Sequence, residues 1–325
     1  MRYLMTLCLF ACATTAIAQP QIDWWREYRY NGNYGYFNDI YITEDGGLAL
    51  VGITHDEGQD GGNCWLLRTD RGEDIIFSRA YELDPPVRVG RALIETDDGG
   101  FAIAGTTNVS QARGMKTDRD GNSLWSLHLG GDIGGWVNAV IELKAGTLVF
   151  AGADQLQGHN VQGYLAFVDQ DGNLSNEYRF GEDNKNEGFY GLREVADEGI
   201  VAGGYRTTLN EPVLFWLVKT DFNGNLIWEK TYPAREAEDE RLYELVSCQG
   251  GFALAGKRGE IVGDIETQFL LKRVDSAGEL LWSEEYDINQ NAAEHCFGLK
   301  KCPTTASCCM ESEIDRIIMS LLLAL

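Results

Sequence analysis

The residues best suited to proton transfer in this chain are its four histidines, and none of them stands in a recognisable catalytic arrangement. His55, His128, His159 and His295 are scattered along the sequence, with no serine or cysteine nucleophile motif at a matching spacing. A nucleophile needs a base within hydrogen-bonding reach and a third group that orients the base. We therefore predict no catalytic residues, and we expect His55 and His159 to be exposed loop residues.

Two Asp-x-Asp-Gly runs, at 118–121 and 169–172, have the composition of a calcium loop. An EF-hand loop places glycine at its sixth position and a bidentate glutamate at its twelfth, and neither run does so. Asp, Asn and Gly in this order are also typical of tight turns. We expect turns at both places and predict no metal and no other cofactor, with calcium held by a loop as the alternative.

Arginines grouped around a carboxylate would point to a sialidase-like hydrolase, which also needs a tyrosine nucleophile and a general acid. The candidates do not recur at equivalent places in the repeat described below, and surface or loop roles explain them: Arg88, Arg91, Arg193, Arg206, Arg235 and Arg241. The arginines therefore define no site by their spacing.

The first 18 residues, MRYLMTLCLFACATTAIA, have the pattern of a secretory signal peptide. A positive charge at Arg2 precedes a short apolar run, and Ala16 and Ala18 form an A-x-A cleavage site. A buried strand is one alternative, and a lipid anchor at Cys12 is another. We predict cleavage after residue 18 and a secreted, periplasmic or cell-surface protein.

The chain has 325 residues and a formal charge of −23, spread along its length. Such a surface repels phosphate backbones and anionic lipids, so nucleic acid and membrane surfaces are excluded as partners, and we predict no transmembrane span. An acidic surface of this kind is typical of a soluble protein. The more specific interpretation is that the surface binds cations or basic partners.

Eight cysteines are present, and Cys8 and Cys12 fall in the signal peptide. Cys64 and Cys248 are isolated from each other. The rest crowd the C-terminal tail, and their pairing stays open: Cys296, Cys302, Cys308 and Cys309. Export permits disulfides, but the sparse spacing is not that of a disulfide scaffold or a zinc site.

The elements that must position any site come from an internal repeat of about 50 residues. Each copy contains an apolar strand that ends in glycine, as in GGLALVG at 46–52 and GGFALAG at 250–256, and the closing glycines are Gly52, Gly105, Gly152, Gly204 and Gly256. This period is typical of a propeller blade.

A second signature is an aspartate that ends another strand, followed seven residues later by a large side chain. The aspartates are Asp70, Asp118, Asp169, Asp221 and Asp275, and the later residues are Phe77, Trp125, Asn176, Trp228 and Trp282. Turns such as DFNGN at 221–225 between them predict hairpins. Each repeat is therefore predicted to be a four-stranded antiparallel sheet, with the tryptophan wedged between neighbouring blades.

We predict one all-β domain, a β-propeller over 19–325 with about six four-stranded blades. The N-terminal strand at 22–30 would close the last blade and so hide two sheet edges. The blades are expected at 36–83, 87–130, 135–181, 188–233 and 241–288, with a degenerate partial blade at 294–325. The aberrant tail leaves a truncated seven-bladed propeller as the alternative.

The pattern D-x-x-G-x-x-x-W, complete at Asp221, Gly224 and Trp228, resembles the tryptophan-docking repeat of the pyrroloquinoline quinone propellers and, more distantly, the Asp-box hairpin of sialidases. The likeness covers almost the whole mature chain and is closest to secreted bacterial propellers without a cofactor. It implies export and binding surfaces. No residues of the quinone enzymes' active site can be mapped onto this sequence.

The function predicted from these features is that of a non-enzymatic extracytoplasmic module for binding, adhesion or scaffolding, with protein or carbohydrate as partner. The loops after the second strand of each blade should cluster on one face, namely 55–63, 153–162 and 257–267. The alternative is a secreted enzyme, either a glycoside hydrolase or a quinone-type oxidoreductase. Carboxylates and arginines that converge at the propeller axis would favour the enzyme.

Overall fold

The computed structural model describes residues 27–31, 35–55, 62–82, 87–107, 110–131, 133–195, 198–234, 238–259 and 268–286. These residues contain twenty strands and no helix. The first two sheets comprise β1 (Gly35–Ile42), β2 (Leu48–Thr54), β3 (Asn63–Thr69) and β4 (Ile75–Tyr81), then β5 (Val89–Glu95), β6 (Phe101–Thr106), β7 (Ala112–Thr117) and β8 (Ser123–His128).

The third, fourth and fifth sheets follow in the same order along the chain. They comprise β9 (Gly134–Glu142), β10 (Leu148–Gln155), β11 (Val161–Val168) and β12 (Leu174–Phe180), then β13 (Lys185–Val195), β14 (Gly199–Thr208), β15 (Leu214–Thr220) and β16 (Leu226–Tyr232), and β17 (Glu240–Cys248), β18 (Gly251–Arg258), β19 (Gln268–Asp275) and β20 (Leu280–Tyr286). Each sheet is an antiparallel meander of four consecutive strands.

Consecutive sheets meet through their first strands: β1 contacts β5, β5 contacts β9, β9 contacts β13 and β13 contacts β17. Apolar side chains fill the spaces between sheets, as where Phe189 and Trp216 of the fourth sheet pack with Leu165 of the third. This is a propeller-like arrangement, and the predicted all-β fold with a four-stranded repeat is confirmed. Five sheets are described; a sixth blade is not confirmed, because 294–325 and most of 22–30 lie outside the described residues.

The closing glycines of the repeat are explained by a bulge in the first strand of every sheet. In each sheet the pairing between the first two strands skips one residue, as between Phe37 and Asp39 in the first. A Cβ atom on the facing glycine would overlap a main-chain carbonyl oxygen of the bulged strand, that of Tyr36 at Gly52 and that of Gly188 at Gly204. Only glycine allows this close approach of two backbones.

The second signature of the repeat builds one end of each sheet. The aspartate after the third strand caps its own hairpin: Oδ1 of Asp221 accepts the N–H groups of Asn223 at 2.8 Å and Asn225 at 2.9 Å. The same pair of bonds recurs in all five sheets. Hydrogen bonds from Asn225 lower the pKa of Asp221. The expected turns at 118–121 and 169–172 are therefore present.

Four of these hairpins, those of the second to fifth sheets, are also docks for an aromatic ring of the preceding sheet. A Cβ atom on Gly172 would lie 2.7 Å from the Trp125 ring, whose Nε1 donates to the carbonyl of Gln170 at 2.9 Å. Phe77 and Trp228 meet the next sheet in the same way. In the third sheet Asn176 stands at the expected position and Tyr178 docks instead, because residues two apart share a face of a strand.

A buried cation holds the same end of three sheets together. Arg68 binds Asp45 at 2.6 Å, Lys116 binds Asp98 at 2.8 Å, and Lys219 pairs with Glu198. In the third sheet Phe167 takes the place of the cation and Ala145 that of the acid. In the fifth sheet Arg273 stands at this position and donates to the main-chain carbonyls of Phe252, at 3.2 Å, and Gln249. The position therefore accepts an ion pair, an apolar pair or a cation bound to carbonyl groups.

Candidate functional site

In an antiparallel meander the loops after the second and fourth strands lie at one end of every sheet, called here the loop end, opposite the hairpin end. At the loop end of the third to fifth sheets, a cleft of about 520 Å³ opens between chain segments. Its lining includes four asparagines and two threonines, namely Asn160, Asn184, Asn186, Asn210, Thr207 and Thr208. We call it the loop-face cleft.

The walls of the loop-face cleft are fixed by main-chain bonds. The N–H of Val161 donates to Oδ1 of Asn186 at 3.1 Å, and the N–H of Val213 donates to Oδ1 of Asp239 at 2.8 Å. The turn between β14 and β15 closes with a bond from the Glu211 N–H to the Thr208 carbonyl at 3.1 Å. Asn210 has a φ of 64°, a left-handed conformation that asparagine tolerates well.

Beneath this cleft lies a buried charge network on the fourth sheet. Arg206 donates from Nε to Glu187 at 3.1 Å and from Nη2 to Glu229 at 2.9 Å, and its guanidinium lies 4.8 Å from the Trp216 ring. Burial raises the pKa of Glu187 to about 7, although Arg206 acts to lower it. Register pairs Asn186 with Thr207 directly beside Glu187 and Arg206, so the network supports the cleft.

A second group of polar residues occupies the bulges of the five first strands: Asn38, Arg91, Asn138, Tyr190 and Tyr243. We call it the bulge set. Asn38 donates to the carbonyl of Gly90 at 2.8 Å, and Arg91 donates to Oδ1 of Asn138 at 3.2 Å. The rings of Tyr190 and Tyr243 lie 5.2 Å apart. These side chains thus join each first strand to the next.

The bulge set contains an arginine and no carboxylate. Burial lowers the pKa of Arg91, and the nearby hydroxyls of Tyr190 and Tyr36 act against that shift. One arginine–carboxylate pair does lie on the first strands, since Arg193 Nη2 contacts Glu244 Oε1 at 2.7 Å. Glu244 also accepts the Leu245 N–H at 3.2 Å, so this pair acts as a link between the fourth and fifth sheets.

The structure places the residues singled out in the sequence as follows. His55 and His159 are exposed beside β2 and between β10 and β11, as expected, and His159 Nδ1 lies 3.0 Å from Asp183. Four of the six arginines lie within strands and not in loops: Arg91, Arg193, Arg206 and Arg241. Arg235 and His295 lie outside the described residues, as do Cys12 and the four tail cysteines.

Burial raises the pKa of Cys64 to about 12, so this thiol is protonated at neutral pH. In the described part of the chain, no group of three or more His, Cys, Asp or Glu side chains is arranged to hold a metal ion. No helix in that part is long and apolar enough to cross a membrane.

Sequence reasoning missed the bulge set, although a signal exists. In four sheets the bulge residue precedes the closing glycine by fourteen positions, as Asn38 precedes Gly52, and in the fifth Tyr243 precedes Gly256 by thirteen. The closing glycine itself signals the bulge, because it is the residue that the bulged backbone approaches.

Comparison with known proteins assigns no family, since the chain matches no family model and no curated protein. A puromycin hydrolase variant in complex with PGG is similar at 10% identity and a TM-score of 0.45, covering 83% of this chain and 41% of that one. A GH43 β-1,3-galactosidase with galactodeoxynojirimycin is similar at 10% identity and a TM-score of 0.41, covering 78% and 94%.

The WD40 domain of SCAP from fission yeast is similar at 10% identity and a TM-score of 0.38, covering 80% of this chain and 66% of that domain. This chain spans less than half the length of the puromycin hydrolase. At such identities and TM-scores, these likenesses do not bear on what this chain binds or does.

Proposed function

We propose that this protein is an exported binding module that recognises carbohydrate at the loop-face cleft. The observation that carries the proposal is the cleft's lining of four asparagines and two threonines. Each asparagine amide offers donors and an acceptor, and each threonine hydroxyl does both. Neighbouring sugar hydroxyls need such paired donors and acceptors, so the walls match a polyhydroxylated ligand.

The size and rigidity of the cleft support the same proposal. Its volume of about 520 Å³ lies within the range of small-molecule sites. The bonds to Asn186 and Asp239 fix its walls before any ligand arrives, which reduces the entropy lost on binding. The walls are polar and carry one exposed apolar side chain, Leu209, so we expect weak affinity for a single sugar.

An enzyme is the second candidate function, and one observation favours it. Two carboxylates line the loop-face cleft, Glu211 and Asp239, and glycosidases use a pair of carboxylates on either side of the scissile bond. However, Asp239 already accepts the Val213 N–H at 2.8 Å and so helps to build the wall. This second function predicts that Glu211→Gln retains sugar binding and loses all turnover.

Export and ring closure belong to the same proposal. The apolar leader at 1–18 would direct secretion. Residues 22–30 and 294–325 would together form a sixth blade, as in the pyrroloquinoline-quinone-like propellers that lack the cofactor. An intact mass of the secreted protein that begins at Gln19 would support the first point. Cooperative unfolding that is lost on deletion of 294–325 would support the second.

The direct test is a glycan array probed with the mature protein and with Asn184→Ala. Asn184 lines the cleft and forms no side-chain hydrogen bond with any other described residue. We therefore expect its loss to weaken sugar binding by about tenfold without unfolding the chain. Asn176→Ala is the matched control, because Asn176 is exposed on β12, away from the cleft. Binding only to peptides, or equal binding by both variants, would contradict the proposal.

A further inference from the structure

The fifth sheet places two cations side by side at its loop end. Arg241 of β17 and Lys257 of β18 are direct partners in the register, so their side chains stand on the same face. Like charges in directly opposed positions of a sheet destabilise it. The pair therefore needs a compensating group.

The equivalent pairs of the other four sheets carry no charge. They are Tyr36 with Ile53, Val89 with Thr106, Trp136 with Ala153, and Gly188 with Tyr205. The fold itself thus does not require cations at this position. Arg241 and Lys257 of the fifth sheet therefore serve something other than the packing of the repeat.

Neither cation has an ion-pair partner within the described residues. Lys257 is only 7% exposed, and burial together with repulsion from Arg241 lowers its pKa. Among the described acids Asp239 acts on it electrostatically, and Oδ1 of Asp239 already accepts the Val213 N–H. By contrast, the next cation along β18, Arg258, contacts Glu285 at 2.5 Å and Glu238 at 2.9 Å.

Tyrosine side chains of the fourth and fifth sheets lie close to Arg241. The Arg241 guanidinium lies 5.3 Å from the Tyr205 ring, and its Nε is buried without a hydrogen-bond acceptor among the described residues. Arg241 also acts electrostatically on Tyr243, whose ring contacts Tyr190. An incoming anion would meet two cations and tyrosine hydroxyls together, which is a strong environment for charge-assisted bonds.

We propose that Arg241 and Lys257 form a binding site for a small oxyanion, either a carboxylate or a phosphate, at the loop end of the fifth sheet. In a chain with a net charge of −23, two partly or fully buried cations that have no ion-pair partner in the described part of the chain mark a place that attracts anions. The site goes beyond the proposed sugar recognition and does not depend on it. Its neighbour Asp239 lines the loop-face cleft, so an acidic group on a cleft ligand could reach it.

The test is an NMR titration of the mature full chain with acetate and, separately, inorganic phosphate, each against chloride at constant ionic strength. We expect saturable shifts of the Arg241 and Lys257 amides with at least one oxyanion. Acetate alone would assign a carboxylate ligand, and phosphate alone would assign a phosphoryl ligand. Since no sugar is present, the result is separate from the array experiment.

Variants make the outcome decisive. Lys257→Met should weaken oxyanion binding by about tenfold, and the free variant should unfold at the same or a higher temperature, because an uncompensated buried cation is removed. Lys230→Met is the matched control, since Lys230 lies on the outer strand β16 and is paired with Glu279 at 2.6 Å. No shift beyond that of chloride, or equal loss in both variants, would overturn the proposal.

Discussion

The two ends of the sheets differ in how strictly they repeat. At the hairpin end, every sheet has an aspartate that caps its own turn, and four described sheets place an aromatic ring on the glycine of the next turn. At the loop end, equivalent positions differ from sheet to sheet, from Val89 with Thr106 to Arg241 with Lys257.

This difference separates residues that specify the fold from residues free to acquire a function. Repeated devices hold neighbouring sheets together, so changing any one of them should affect stability. At the loop end, the strands are held by contacts deeper in the sheet, such as the Arg206 network. The side chains of the loop end can therefore vary while the sheet still folds. The loop-face cleft and the Arg241–Lys257 pair both lie at this variable end.

The largest effect that would test this division is expected from Gly224→Ala at the hairpin end. Gly224 has a φ of 82°, and a Cβ atom there would overlap the docked ring of Tyr178. The strain and the overlap together should destabilise the protein by about 3 kcal/mol. Urea denaturation measures the change.

Gly158→Ala is the matched control for that variant at the loop end. Gly158 has nearly the same φ, 83°, but no atom lies within 4 Å of an added Cβ. Gly158→Ala should therefore cost only the strain of an alanine in the left-handed conformation, about 1 kcal/mol. If both variants lose the same stability, aromatic docking does not hold the sheets together and the comparison of the two ends is wrong.

A smaller effect is expected from the buried ion pair of the second sheet. Asp98→Ala leaves Lys116 buried and unpaired, which should destabilise by about 2 kcal/mol because Asp98 is itself half exposed. Adding Lys116→Phe reproduces the Phe167 and Ala145 arrangement of the third sheet and should recover most of the loss. A double variant no more stable than Asp98→Ala would show that the two arrangements are not interchangeable.

The ion pair also predicts acid sensitivity. The pKa of Asp98 is lowered, since hydrogen bonds from Lys116 and Thr96 outweigh burial, which acts to raise it. A lowered folded pKa contributes stability that is present above the unfolded value and is lost as pH falls through the folded value. The double variant should therefore lose less stability than the wild type below about pH 4. Urea midpoints measured at pH 3 and pH 6 compare the two.

The last effect is a pH dependence at the loop end. The raised pKa of Glu187, about 7, means that the folded state holds this proton more tightly than the unfolded chain does. Its contribution therefore lowers stability as pH rises from about 4 to about 7. Glu187→Gln should gain stability relative to the wild type across this window, measured by urea midpoints.

Glu182→Gln serves as the control for that measurement. Glu182 lies near the same Arg206, but a hydrogen bond from Lys185 lowers the pKa of Glu182. Its carboxylate is therefore already ionised above pH 5 in both states, and the difference from the wild type should stay constant between pH 5 and 7.5. A constant difference for Glu187→Gln as well would contradict the buried, proton-holding state of Glu187.

The hairpin end could be predicted from the sequence because its signals are local. Asp221, Asn223 and Gly224 lie within four residues and specify one turn, and glycine steps of about 50 residues gave the repeat. The seven-residue spacing does not predict the docking residue of the third sheet, because Tyr178 docks in place of Asn176 without disturbing the strand's alternation.

The loop end could be predicted only in part. The loop at 153–162, which contains Asn160, is expected at this face from the sequence, but Asn186 and Asp239 come from two other sheets and nothing in their local sequence marks them as its neighbours. The bulges in the first strands also break the period of two from which side-chain direction is inferred. Arg91 lies on the surface as expected, but the sequence does not show that its side chain bonds to Asn138 of the next sheet.

The most direct measurement of the central claim follows the side-chain amides of asparagines by NMR while the tightest glycan from the array is titrated in. If the loop end recognises the ligand, the amides of Asn160, Asn184, Asn186 and Asn210 shift with saturation. Those of Asn122, Asn173 and Asn225, which donate to the capping aspartates, stay unchanged. Shifts confined to the hairpin-end amides, or no glycan that moves the cleft amides at all, would contradict the account.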